Sequence, residues 1–434
     1  MSEDVLTVRP VPALRGRLRP PGDKSISHRA VILAALARGR SRVRGFLYGG
    51  DCEATLDAVR GLGVNVERPA RDELLLESPG PRGWHEPADV IDCRNSGTSI
   101  RLLSGLLSGP PFFSVLTGSA QLRRRPMDRV TVPLRRMGAT ILGRAEGRYA
   151  PLAVQGGGLR GIEYTLPIPS AQVKSALILA GLFARGETRV REPGPARDHT
   201  ERMLQALGAP VHVRGSLITV SPLEAPLPPF DLQVPGDFSS AAFFLVAGLI
   251  VPRGEILLEE VGINPTRTGL LDVVQEMGGE VTVERVRVVG GERVADLRVR
   301  PAPLRGTRVE GDRVVRMIDE FPILAVAATQ AEGTTTVRDA RELRVKETDR
   351  IATVVEELRK MGAHIEALPD GFVVEGPTPL QGTTVDSHGD HRLAMALAVA
   401  GLVARGETRI LGAHCIADSY PGFVETLRAL SASG

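Results

Sequence analysis

Six copies of one pattern run through this 434-residue chain, and any fold must give each copy the same local structure. A copy opens with a polar turn, continues as an apolar run rich in small residues, and ends in a Gly-x-Thr/Ser-type turn and a strand. The copies begin at Ser25 (SISHRAVILAALARGRSRVRG), Ser96 (SGTSIRLLSGLLSG), Ala171 (AQVKSALILAGLFARGETRV), Asp237 (DFSSAAFFLVAGLIVPRGEILL), Asp319 (DEFPILAVAATQAEGTTTV) and Asp390 (DHRLAMALAVAGLVARGETRI). Their starts lie 71, 75, 66, 82 and 71 residues apart. A second helix follows in each, as in CEATLDAVRGLGVNV and KETDRIATVVEELRKMGAHIEAL, often closed by Met-Gly or Leu-Gly before another strand. Glycine is the expected stop there, because it accepts the left-handed cap conformation. Each copy therefore reads roughly as β-α-β-α-β-β.

The first helix of each copy is apolar nearly all round, as in Ala30 to Ala37 and Leu393 to Ala400, which predicts burial on every side. Six such helices imply two globular domains of three copies each. Two near-identical junctions, Pro20-Pro21-Gly22-Asp23-Lys24-Ser25 and Val234-Pro235-Gly236-Asp237-Phe238-Ser239, mark chain crossings, the second approached by proline-rich PLEAPLPPFDLQVP. The expected domains are residues 1–21 with 236–434, and residues 22–235. The fold class is α/β (α+β), with three βαβαββ units per domain around buried parallel helices, an inside-out α/β barrel.

Hydrophobic content of 42% and charged content of 24% are ordinary for a globular protein. No stretch reaches the roughly 18 apolar residues of a membrane span, and Met1 to Pro10 has no apolar signal core. Three distant cysteines, Cys52, Cys93 and Cys415, fit a reducing compartment, so a cytoplasmic protein is expected. A net charge of +3 is too small for a general nucleic-acid binder. Lysine occurs only at 24, 174, 346 and 360, so 54 basic residues include 50 arginines. A lysine pKa can be tuned and an arginine's cannot. This makes Lys24 and Lys346 candidates for chemistry, leaves Lys174 open, and reads Lys360 as a solvated helix face.

The polar starts of the six apolar helices carry most of the remaining signal. Helix N-termini attract anions, and Ser, Thr or Asp there also cap helices. Caps alone do not explain Lys24, Arg29, Arg101, Gln172 or Arg392 just inside the helices, where the dipole opposes a cation; an anionic ligand does. Arg123-Arg124-Arg125-Pro126 is either a ligand cluster, a nucleic-acid patch or an exposed run. Arg344 to Arg350 interleaves cations with carboxylates, which is either a salt-bridged helix start with ordinary i,i+4 pairs or, given Lys346 and Asp319-Glu320, a site for general acid–base work. Asp386 to His391 resembles a metal ligand set, but Arg392 would sit beside the cation, and no metal is expected. His28 reads as a hydrogen-bonded core imidazole.

Taken together, Pro-Gly-Asp-Lys-Ser-x-Ser-His-Arg, Asn-Ser-Gly-Thr, Arg-Pro-Met, Ser-Ala-Gln-x-Lys, Arg-Val-Lys-Glu-Thr-Asp-Arg and Gly-Asp-His-Arg occur in order along the whole chain. In this it resembles the 5-enolpyruvylshikimate-3-phosphate (EPSP) synthase family. The resemblance implies the two-domain enolpyruvyl transferase fold, with the active site in the cleft between the domains. It implies transfer of the enolpyruvyl group of phosphoenolpyruvate to the 5-hydroxyl of shikimate 3-phosphate, on the route to chorismate and the aromatic amino acids. It also implies no cofactor, no nucleic-acid or membrane partner, and a monomer. Shikimate 3-phosphate would be held by Lys24, Ser25, Arg29, Ser170, Gln172, Arg197, Asp319 and Lys346. Phosphoenolpyruvate would be held by Lys24, Asn95, Gly97, Thr98, Arg125, Gln172, Arg350 and Arg392, with Arg125 chosen among its neighbours by its distance from Pro126. Asp319 would take the 5-hydroxyl proton, and Glu347, helped by Lys24, would protonate the methylene carbon.

Some positions depart from the family. Ala171 stands where a serine is often found, Glu342 and Leu343 replace an asparagine–tryptophan pair, and Ala417 to Pro421 lacks a lysine that some members carry. Gly-Asp-Lys-Ser, Ser-Ala-Gln-Val-Lys, Arg-Asp-His-Thr-Glu and Asn-Pro-Thr-Arg (264–267) resemble the glyphosate-tolerant subgroup, which implies weak glyphosate inhibition. UDP-N-acetylglucosamine enolpyruvyl transferase shares the six-unit design but typically carries a mobile-loop cysteine, and residues 118–126 contain none. A metal-dependent hydrolase centred on His388 and His391 is a rival of another class, which activity surviving exhaustive chelation would remove; a non-catalytic anion-binding or nucleic-acid protein using Arg123 to Arg125 would explain neither the carboxylates nor the lysines.

Overall fold

The structure, a computed structural model, describes residues 4–432. It divides into two compact units. One, here the Lys24 unit, comprises Gly22–Val234 and Val288–Glu292; the other, the Asp319 unit, comprises the chain up to Pro21, Pro235–Arg287 and the chain from Arg293.

The Lys24 unit holds three inner helices, Lys24–Leu36, Gly97–Leu107 and Ala171–Gly181. Each is backed by a four-stranded sheet. In the second sheet the order is Ile91–Asp92, Phe113–Thr117, Tyr149–Gln155, Thr140–Gly143; the first pair is parallel and the others antiparallel. The third repeats this with Glu163–Thr165, Thr188–Arg191, Leu217–Val220 and Val211–Arg214. The first sheet has the same order but takes its parallel strand, Asp231–Gln233, from just before the second junction, with Leu232 opposite Val43.

The Asp319 unit repeats the design with inner helices Phe238–Ile250, Phe321–Thr329 and His391–Gly401. Its first sheet takes its parallel strand, Leu14–Leu18, from before the first junction, paired with Gly254–Gly262 so that Leu14 faces Gly254. Its last sheet has three strands, in which Val5–Val8 runs antiparallel to Thr408–Leu411. The sixth copy ends in the helix Phe423–Ala432, without the hairpin strand that the others have, and the N-terminal strand fills that place.

Burial follows the apolar pattern. Every residue of Ile26–Leu36 and of Phe238–Leu249 is buried. Two inner helices meet backbone to backbone: a Cβ on Gly105 would stand 2.2 Å from the Ala176 carbonyl oxygen. Ser104 and Ser108 return their hydroxyls to the preceding turn, to the Ile100 carbonyl at 2.6 Å and that of Ser104 at 2.7 Å, so neither hydroxyl is stranded. Five of the six inner helices are capped by their own side chains, those of Asp23, Ser96, Ser170, Asp237 and Asp390.

Replacing Gly105 by alanine should therefore cost about 2 kcal/mol or more, because the neighbouring backbone has nowhere to go. Alanine at Gly61, also helical but with nothing within 4 Å, should leave stability unchanged or raise it by up to about 1 kcal/mol. Denaturant midpoints of the two variants against the parent check both.

Candidate functional site

In the Lys24 unit, Lys24 is the first residue of its helix, and its Nζ lies 3.1 Å from Asp51 Oδ2 on the helix Gly50–Gly61. Beneath it, His28 Nδ1 sits 2.7 Å from Thr55 Oγ1, which is 2.8 Å from Ser99 Oγ. Burial pushes the His28 imidazole down to about 3, so it is neutral at physiological pH and adds no charge to the site. Gln172 is held from both ends. Its Oε1 accepts from Arg101 at 2.5 Å, and its Nε2 donates to Thr98 Oγ1 at 3.0 Å. Asn95 bonds Gln121 at 2.8 Å and Ser119 at 2.9 Å, fixing the loop before Ser96.

Gly97 is needed for space. A Cβ there would lie 2.9 Å from Arg101 Nη1 and 3.3 Å from Arg125 Nη1. This brings Arg101 and Arg125 to the start of the second inner helix, whereas Arg124 is exposed. Ser170 caps the third inner helix, accepting from the Val173 N–H at 3.4 Å, and Ser25 gives its carbonyl to Arg29 at 2.9 Å. Burial lowers the Arg29 guanidinium to about 10; Glu201, Asp23 and Glu292 oppose that, and Arg197, half-buried before the helix His199–Ala206, adds to it. Two like charges, Arg29 and Arg197, are thus close enough to repel. Lys174, left open by sequence, is a structural ion. It is fully buried between Glu192 at 2.8 Å and Glu201 at 2.7 Å. Burial alone would lower its pKa, and the two carboxylates more than reverse this.

The Asp319 unit centres on Arg350, whose side chain is 1% exposed. Its Nε lies 2.7 Å from Asp390 Oδ2, its Nη2 2.7 Å from Glu347 Oε2, and its Nη1 3.3 Å from Asp319 Oδ1. Burial works against this cation, but Glu347, Asp390 and Asp319 outweigh it and hold the pKa above the ordinary value. Burial would likewise raise Asp390, and Arg350 reverses that and holds it low. Asp319 also lies 3.6 Å from Arg392 Nη2. Lys346 is pulled below its usual pKa by burial, with Asp319 and Glu347 opposing. Asp319, Lys346, Glu347, Arg350 and Arg392 therefore form one cluster at the starts of the fifth and sixth inner helices. Two carboxylates in it differ in setting: guanidinium groups flank Asp319 on two sides, while Glu347 is more open, 26% exposed against 15%.

The metal-like run Asp386 to His391 is put to other uses. Asp390 is spent on Arg350, and His388 Nε2 lies 2.7 Å from the buried Glu357. Glu356, Glu357 and His388 do converge, but the Lys360 ammonium already sits 3.1 Å and 2.8 Å from the two glutamates. Internal repetition explains His388. It stands two residues before its helix cap in a left-handed conformation (φ 52°), donating its N–H to Asp386 at 2.7 Å. Arg94 stands two residues before Ser96 with φ 51°, donates to Asp92 at 2.8 Å, and pairs with Glu53 at 2.6 Å. Both are scaffold turns tied to an acid on the preceding second helix. Arg267 of the Asn-Pro-Thr-Arg run is similarly buried, on Asp237 at 3.2 Å and Ser239 at 2.7 Å. Sequence reading passed over Asp51 as the partner of Lys24, because 27 residues separate them and no local spacing joins them.

Two units of three sheet-backed helices, whose starts gather cations beside paired carboxylates, define an enolpyruvyl transferase fold. A family model described as "EPSP synthase (3-phosphoshikimate 1-carboxyvinyltransferase)" matches residues 8–427. A 3-phosphoshikimate 1-carboxyvinyltransferase of Desulforudis audaxviator is 54% identical, covering 98% of this chain and 99% of that one. One of Geobacillus kaustophilus is 53% identical over 97% and 98%. A solved EPSP synthase of Acinetobacter baumannii superposes with a TM-score of 0.90 at 44% identity, covering 98% of both chains. The chain belongs to the EPSP synthase family.

Replacing Arg350 by methionine leaves Asp319, Glu347 and Asp390 without their shared cation, and should cost about 3–5 kcal/mol near neutral pH. In the parent, Asp390's depressed pKa contributes stability above its unfolded pKa, lost as pH falls through the folded value. In the variant burial and the Glu347 charge, which both raise Asp390, are no longer opposed by Arg350, so Asp390 titrates upward and mild acid neutralises it. The deficit should therefore be smaller at about pH 5 than at about pH 8, measured by denaturant unfolding at both.

Proposed function

We propose that this enzyme transfers the enolpyruvyl group of phosphoenolpyruvate to the 5-hydroxyl of shikimate 3-phosphate and releases inorganic phosphate. The observation that carries the reading is the cluster in which Asp319 and Glu347 share Arg350 beside Arg392 and Lys346. The reaction needs a cationic C2 on phosphoenolpyruvate and a developing alkoxide on the acceptor at once, so one carboxylate must accept a proton while another group donates one. In this reading Asp319 takes the 5-hydroxyl proton as the oxygen bonds C2. Glu347, assisted by Lys24, protonates the methylene carbon. The tetrahedral adduct then loses a methyl proton and phosphate to regenerate the enol ether. Cations recognise the anionic groups: Arg125, Arg350 and Arg392 serve phosphoenolpyruvate with Asn95, Gly97 and Thr98. Ser25, Arg29, Ser170, Arg197 and Lys346 serve shikimate 3-phosphate, and Lys24 and Gln172 serve both. The UDP-N-acetylglucosamine reading falls away with the family assignment.

Three buried free cysteines, Cys52, Cys93 and Cys415, support operation in a reducing cytoplasm, and no described helix is long and apolar enough to cross a membrane. A monomer is proposed because each unit closes its own core. Weak glyphosate inhibition is proposed on the four subgroup-like motifs.

Phosphate release should require shikimate 3-phosphate and phosphoenolpyruvate together. Asp319→Ala and Glu347→Ala should each lower kcat about 10²–10⁴-fold, and a parent chain inactive with this pair would overturn the function. Glyphosate titration in the same assay checks the subgroup: an inhibition constant in the range of sensitive family members would refute tolerance.

A further inference from the structure

The described chain has four buried arginines: Arg29, Arg267, Arg350 and Arg392. Three of them touch a carboxylate: Arg267 touches Asp237, Arg350 touches Asp319, Glu347 and Asp390, and Arg392 touches Asp319. Arg29, 4% exposed, is held by neutral oxygens instead. Its Nε donates to Thr200 Oγ1 at 2.7 Å, its Nη2 to Ser175 Oγ at 2.8 Å, and its Nη1 to the Ser25 carbonyl at 2.9 Å. The two hydroxyls are 2.6 Å apart and brace each other. A guanidinium has five N–H bonds, so two remain for a ligand.

The acids nearest Arg29 are each tied to another group. Glu201 is on Lys174 at 2.7 Å, Glu292 is on His199 at 2.8 Å, and Asp23 accepts from the Ile26 N–H at 2.8 Å. Glu201 follows Thr200 directly and Lys174 precedes Ser175, so the ion pair runs alongside the hydroxyl pair without replacing it. Burying a guanidinium without a carboxylate is costly, and a protein gains by it only if the unspent charge meets an anion.

We propose that Thr200 and Ser175 are positioning residues that aim Arg29 through neutral oxygens, so that its full charge is left for an anionic group of shikimate 3-phosphate. The proposal rests on the functional reading above. The hydroxyls fix the guanidinium plane from the third inner helix and from the helix His199–Ala206, the elements that also carry Gln172 and follow Arg197. An acidic side chain at either place would fix it equally well but would neutralise it.

Phosphate-release kinetics on the full chain, varying each substrate with the other saturating, test this. Thr200→Val, which keeps shape but removes the acceptor, should raise KM for shikimate 3-phosphate about tenfold. It should leave kcat and KM for phosphoenolpyruvate within about twofold of the parent. Thr200→Ser should restore KM to within about twofold of the parent. Thr200→Asp, which supplies a competing carboxylate, should raise that KM at least as much as Thr200→Val while melting no lower than Thr200→Val. A parent-like KM in Thr200→Val or Thr200→Asp would overturn the proposal, as would an equal rise in both KM values. Should Thr200→Asp fail to fold, the same series is read on Ser175→Ala and Thr200→Val. Calorimetric titration with shikimate 3-phosphate and with inorganic phosphate separates this proposal from the functional one. A parent that binds shikimate 3-phosphate but releases no phosphate sinks the reaction and leaves the Thr200 series readable as affinities.

Discussion

A helix that is apolar on every side has one way to meet polar matter, which is through its ends. In each unit three such helices pack against their own sheets and one another, closely enough at Gly105 that no side chain fits. Their flanks are closed to ligands, so their starts take all the polar chemistry. There the free N–H groups require acceptors, and Asp23, Ser96, Ser170, Asp237 and Asp390 supply them. Cations placed just beyond those caps face both the helix dipole and burial, and the rest of each site is arranged around keeping them there.

Two solutions to that problem coexist. Arg350 is surrounded by three carboxylates, which makes it a structural hub that fixes the relative positions of Asp319 and Glu347. Arg29 is surrounded by hydroxyls and a carbonyl, which hold it without cancelling it. The same residue type is therefore partnered by carboxylates in one place and by neutral oxygens in the other. Lys174 and Lys24 show the same split. One is sealed between two glutamates, and the other meets Asp51 while remaining partly open.

The sheets show that a repeat in sequence need not be a closed module in space. The first and fourth copies draw their parallel strands, Asp231–Gln233 and Leu14–Leu18, from chain segments on the far side of a junction. The sixth copy, short of a hairpin strand, is completed by Val5–Val8. Each exchange covers a sheet edge that would otherwise present unpaired N–H and C=O groups.

The repeat, the all-round apolar helices, the capping residues and the cations behind them were legible in the sequence because each depends on residues within a few turns of one another. The ordered motifs sufficed to place the chain in its family for the same reason. What only the tertiary structure decided was how those cations are partnered. That Lys24 meets Asp51, that Lys174 is consumed by Glu192 and Glu201, that His388 meets Glu357, and that Thr200 and Ser175 hold Arg29 all join residues on different elements. Periodicity records which face of an element is buried, but not which neighbour that face will meet. Charge partnering is settled by angstrom-scale distances between elements, because a buried charge is stabilised or stranded according to the atoms that packing brings within about 4 Å of it.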